Sequence, residues 1–100
     1  MNNIKREPAH PGEILRSEFL EEMGITQVEL AKAVNTTFRT INEIINKRRN
    51  LSPEMALKLS KYFGTSVELW LNLQNQYDIY ILLKKNKNIL DSIHPYRVSA

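Results

Sequence analysis

The sequence predicts an all-α fold, a bundle of five short helices with a C-terminal helix extension or tail. Three observations carry that prediction. Apolar residues recur at helical spacing through most of the chain; cap and breaker residues divide that pattern into short segments; and no stretch alternates with the period of two that a strand requires. Two of the segments are brief and separated by only a tight turn, which is a helix-turn-helix arrangement.

The first helix is expected over residues 12–23. Ile14, Leu15, Phe19 and Leu20 supply its apolar side, Pro11 stands where a first turn tolerates proline, and Gly24 lies just past its end. Thr26 to Glu29 reads T-x-x-E, a capping box that opens a second helix of about eight residues through Val28, Leu30, Ala31 and Val34. Asn35 tolerates left-handed backbone angles, so Asn35-Thr36-Thr37 forms the turn, and Thr37 caps the third helix, Phe38 to Asn46. Ser52 and Pro53 then start a fourth helix carrying Met55, Ala56, Leu59, Tyr62 and Phe63, closed by Gly64. A fifth begins at Thr65 or Ser66 and runs through Val67, Leu69, Trp70, Leu71 and Leu73, with a possible continuation to Leu82. These boundaries give a flexible arm over residues 1–10, a helix-turn-helix domain over 11–83 and a tail over 84–100 with at most a short ordered piece.

Composition narrows the function classes. At 100 residues the chain suits one domain, which buries roughly 60 to 70% of its unfolded surface. There is no cysteine, which removes disulfides, thiolate nucleophiles and Cys-based zinc sites together. His10 and His94 stand at opposite ends without an acidic cluster at ligand spacing, so neither catalysis nor a metal or other cofactor is expected. No apolar run approaches the ~20 residues that span a bilayer, and MNNIKREPAH lacks the apolar centre of a signal peptide, so the expected location is cytoplasmic, away from any membrane.

Charge is unevenly placed. Residues 1–25 carry three basic side chains against five acidic ones, whereas residues 26–50 carry five against two. A basic middle suits a polyanion, because phosphate neutralisation releases counterions and supplies sequence-independent affinity. At about 100° per residue, Ile41, Ile44 and Ile45 share one side of the third helix, with Phe38 at its edge, while Arg39, Asn42, Glu43 and Asn46 face away. Arg pairs bidentately with guanine and Asn with adenine, which makes Arg39 and Asn42 the first candidates for base contact. Glu43 either accepts from cytosine or restrains Arg39 one turn away, with restraint favoured. Phe38 either meets a thymine methyl or packs in the core, with packing favoured, and Thr40 reaches a base or a phosphate. On the fifth helix, apolar residues cover more than one side, an excess that suggests a homodimer interface at Leu69, Trp70, Leu73 and Tyr77.

The run TQVELAKAVNTTFRTINEIINKRRNLSPEMALKLSKYFGTSVELWLNL resembles the lambda-repressor-like helix-turn-helix family. HPGEIL before it and FGTSVELWLNLQNQYD after it resemble the HigA-type antitoxins, so that the likeness covers roughly residues 8 to 80. One departure is Asn35, where the family often has Gly. The resemblance implies a homodimer that binds a palindromic double-stranded operator near its own gene, represses it, and neutralises a HigB-like toxin, similar to the RelE group of mRNA endonucleases. By the family's pattern Gln27, Thr37, Asn46, Lys47 and Arg48 would contact phosphates. A stand-alone repressor of the same fold is the alternative. For a toxin, two surfaces qualify: the tail, and the acidic first helix with Glu18, Glu21 and Glu22.

Overall fold

The computed structural model describes residues 6–96, and among them it contains helices and no strand. Helix α1 spans residues 11–23 in three contiguous pieces: α-helical at Pro11–Ile14, π-helical at Leu15–Leu20 and α-helical again at Glu21–Met23. His10 caps it by accepting from the Gly12 N–H at 2.9 Å, and the Glu13 carboxylate closes a capping box on the His10 N–H. Gly24, at φ 68°, ends it in the left-handed region. Residues 1–5 of the expected arm lie outside the described residues, and His10, its last residue, is buried.

Helix α2, Gln27–Ala33, starts at the T-x-x-E box, with both reciprocal hydrogen bonds formed. Asn35 turns the chain at φ 55°, and Thr37 caps α3, Phe38–Ile45. After α3 a second non-glycine residue takes left-handed angles, Lys47 at φ 62°, which no residue-type signal announces. Helix α4, Pro53–Phe63, runs from the Ser52 cap to Gly64. Helix α5, Val67–Lys85, is the longest and runs two residues into the segment expected to be a tail; the short α6, Lys87–Asp91, follows within that segment, whose residues 97–100 lie outside the described residues.

The core forms where α1 to α4 meet the first half of α5. Leu15, Leu30, Ile41, Ile44, Leu59 and Trp70 are its largest apolar members. Trp70 is 0% exposed, packs its ring 5.0 Å from Phe19 and 6.4 Å from Phe63, and donates its indole N–H to Thr65 Oγ1 at 2.8 Å. This corrects the dimer surface expected from sequence: a side chain with no accessible area contributes none to a partner, and Trp70 belongs to the monomer core. Loss of a buried aromatic of this size costs about 3–5 kcal/mol. Beyond Tyr77, α5 leaves the body, giving the molecule extents of 54 × 24 × 22 Å. That distal half exposes Ile79, Leu82 and Leu83.

Candidate nucleic-acid interface

The side that α3 buries sets which way its polar face points, and α1 and α2 pack over that side. Ile41, Ile44 and Ile45 are buried, as their spacing demands, and the α1 backbone at Gly12 lies directly against the Ile44 carbonyl. Ala31 is buried where α2 meets α3, leaving room for the short turn between them. The opposite side of α3 is left to solvent.

Arg39 dominates that side, with its side chain 84% exposed and its Nε donating to Glu43 Oε2 at 3.1 Å. The other oxygen of Glu43 accepts from Arg49, with Nη2 at 2.7 Å. Hydrogen bonds from Arg49 first, and Arg39 second, hold the Glu43 carboxyl below its usual range. Glu43 therefore restrains two arginines, the role favoured over cytosine contact; Arg49 is a member of the cluster that helical spacing on α3 could not supply, because it lies beyond the helix end.

Asn42 and Gln27 meet: the Asn42 amide donates to Gln27 Oε1 at 3.0 Å, joining the first residue of α2 to the middle of α3. One candidate for a base and one for a phosphate thus form a single hydrogen-bonded unit. Thr37 donates its hydroxyl proton to Thr40 Oγ1 at 3.0 Å while accepting the Thr40 N–H, and Asn46 donates back to the Asn42 carbonyl at 2.9 Å. Phe38 is 49% exposed and is not part of the buried core, against the packing favoured from sequence: its place at the edge of the buried sector leaves it half open to solvent.

The expected phosphate contacts separate. Arg48 is exposed and has no ion-pair partner among the described residues. Lys47 turns toward α1, with its Nζ 3.4 Å from Glu13 Oε2, and the Glu13 carboxylate raises the lysine's affinity for its proton. Glu13 is in turn held below the usual carboxylate range, chiefly by the His10 N–H. No group of three His, Asp or Glu side chains that could hold a metal ion occurs among the described residues, and none of their helices is long and apolar enough to cross a membrane.

The arrangement is a hydrogen-bonded, positively edged ridge of amides, hydroxyls and one extended arginine, the chemistry that base edges and phosphates accept. The helix-turn-helix family matches residues 17–70. The chain is 40% identical to virulence-associated protein I of Dichelobacter nodosus, over 91% of its own length and 83% of that protein's. It is 35% identical to antitoxin HigA-1 of Vibrio cholerae, over 99% of this chain and 93% of that one. Among solved structures, the Pseudomonas aeruginosa antitoxin HigA with the higBA promoter superposes with a TM-score of 0.85 at 42% identity, covering 90% of this chain and 99% of the other. Fold, capped helix-turn-helix and near full-length identity agree: the chain belongs to the HigA-type antitoxins of the helix-turn-helix family.

Proposed function

We propose that this chain is an antitoxin that binds operator DNA as a homodimer, represses its own operon and neutralises a HigB/RelE-like mRNA endonuclease. The observation that carries the DNA part is the outward side of α3, where Arg39 extends into solvent beside the Asn42–Gln27 pair. Arg39, Asn42, Phe38 and Thr40 would meet base edges in the major groove. Gln27, Thr37, Asn46 and Arg48 would fix register on the phosphates, and Lys47 and Arg49 serve there less directly because Glu13 and Glu43 hold them. A two-fold dimer would set two such helices about 34 Å apart on one side of the duplex. Its apolar contact falls to the exposed distal part of α5, Ile79, Leu82 and Leu83, with Leu69, Leu73 and Tyr77 nearer the body. The toxin part is supported by the likeness to antitoxins over nearly the whole chain.

Binding of the full chain to a fragment of its own promoter, titrated against salt, tests the DNA reading. Arg39→Ala is expected to weaken operator binding by about 1–3 kcal/mol and relax discrimination at one base position, while Arg48→Ala weakens all duplexes alike and lowers the salt slope by about one. Unchanged operator affinity in Arg39→Ala would refute this orientation of α3. Co-expression with the product of the neighbouring gene, followed by purification as a complex, tests the toxin part.

A further inference from the structure

The string LQNQYD places an amide, Gln74, in the interior, 6% exposed, on the half of α5 that packs against the core. A helix that needed only packing there would carry an aliphatic residue. Instead Gln74 Oε1 accepts from the Leu51 backbone N–H at 2.6 Å, and Nε2 donates to Asn50 Oδ1 at 3.2 Å and Asp78 Oδ1 at 2.9 Å. Both amide protons and one oxygen lone pair are used.

The partner segment explains the arrangement. Residues 46–52 link α3 to α4, and only Asn46, whose N–H reaches the Asn42 carbonyl at 3.0 Å, continues the helix ladder. Their first half is held by α3 itself, through Lys47 N–H to the Ile44 carbonyl at 3.1 Å and Arg48 N–H to the Glu43 carbonyl at 2.8 Å. Leu51, 2% exposed, buries its N–H, and Gln74 supplies the acceptor. Arg48 and Arg49 lie between these two anchors. Removing the distal anchor leaves a buried donor unpaired and takes from the basic link the backbone tie on its far side, leaving the Arg49–Glu43 pair and the burial of Leu51 to hold it.

We infer that Gln74 is a positioning residue for DNA binding: from α5 it holds the basic link in the one path that presents Arg48 and Arg49 beside α3. This rests on the DNA-binding reading above. It touches no nucleic acid itself and acts through Leu51 and Asn50.

The test uses the full chain and two duplexes of equal length, a fragment of its own upstream region and a scrambled sequence, with fluorescence anisotropy across a range of salt. Gln74→Met keeps the volume and removes the polar ties; it is expected to weaken binding to both duplexes about tenfold and to flatten the slope of log K against log salt by about one, with helix content and oligomeric mass retained. The double variant Gln74→Glu with Asp78→Asn keeps an acceptor for Leu51 and reverses the donor in the other bond, and is expected to recover binding to within about threefold of the parent. A folded Gln74→Met protein with parental affinity and slope overturns the inference, as does a double variant no better than Gln74→Met. Should Gln74→Met fail to fold, amide hydrogen exchange on the parent decides: Leu51 is expected to be protected like the core of α5, and exchange at the rate of an open loop overturns the tie. A parent that binds neither duplex in a salt-dependent way refutes the DNA reading instead, and the Leu51 exchange still reports separately on the anchor.

Discussion

Gly12→Ala adds one carbon at the closest approach between α1 and the recognition helix. A Cβ built there would lie 1.9 Å from the Ile44 carbonyl oxygen, 2.7 Å from its carbon and 2.9 Å from Ile45 Cα. Ordinary contact begins at 3.4 Å, so the shortfall against the oxygen is about 1.5 Å. Every obstructing atom is backbone, and no side chain can swing aside. Overpacking of a core costs about 1–3 kcal/mol, and a rigid obstacle puts this case near about 3. Alanine recovers at most about 1 kcal/mol through helix propensity, leaving a net loss of about 2. For a domain of this size that lowers Tm by roughly 8–16 °C. Thermal unfolding followed by circular dichroism reads the loss, and operator titration reads the displacement of α3 that relieves the clash. Helix propensity alone predicts the opposite sign, so an alanine variant that melts at or above the parent temperature refutes direct packing of α1 on α3.

Glu43→Gln removes the carboxylate that bridges Arg39 and Arg49 and would face phosphates in a complex; affinity for scrambled duplex should rise and the ratio of operator to scrambled affinity should fall, which competition titrations measure. Leu82→Glu, at an exposed position on the distal part of α5, should convert dimer to monomer by sedimentation while leaving the melting temperature of the core intact, and an unchanged mass refutes that surface. Acid should destabilise the fold through His10. Burial lowers its pKa from 6.5, ahead of the opposing pull of Glu13 and Asp78, while Lys47 lowers it further. The unfolded chain therefore takes up the proton first; the His10 contribution is full above about pH 6.5, falls as pH drops toward the lowered folded value, and levels off below it, where the depressed Glu13 and Glu43 begin to lose theirs. Denaturant melts at about pH 7.5 and about pH 5.5 should show the loss, and His10→Asn, which keeps a capping acceptor, should abolish it.

The helix starts were legible because their chemistry is local. Thr26 with Glu29, Thr37 with Thr40, and Ser52 with Met55 each complete a cap within three residues, and each forms as the spacing requires. The orientation of α3 was equally legible, since three isoleucines define its buried side without help from other elements. The fifth helix was not. Its proximal half faces a core and its distal half faces none, so one periodicity cannot describe both, and Trp70 was assigned to a surface it does not reach. Phe38 failed for a related reason: at the edge of a buried sector, the neighbouring helices decide exposure, and its own helix does not. Gly12 gave no signal at all, because the contact that needs a missing side chain lies more than thirty residues away.

That last point bears on why the ridge can read a sequence. Three contacts hold α3 and its basic link, and each comes from a different helix: Gly12 of α1 against Ile44, Gln27 of α2 to Asn42, and Gln74 of α5 to Leu51. Together they act on the C-terminal end, the middle and the following segment of the recognition element. The polar groups between them are already oriented by Glu43, Thr37 and Asn42, so binding has little left to order except the outer guanidinium of Arg39 and the Arg48 side chain. Ordering a rotamer-rich side chain costs about 0.5–1.5 kcal/mol, and a recognition helix free to rock would add backbone disorder to that at every contact. Discrimination between bases depends on donors held within a fraction of an ångström of their partners. The Gly12 contact, remote from the DNA, therefore sets how much of Arg39's pairing energy appears as specificity, and its loss should relax base preference before it abolishes binding, whereas loss of the Gln74 tie weakens all duplexes alike.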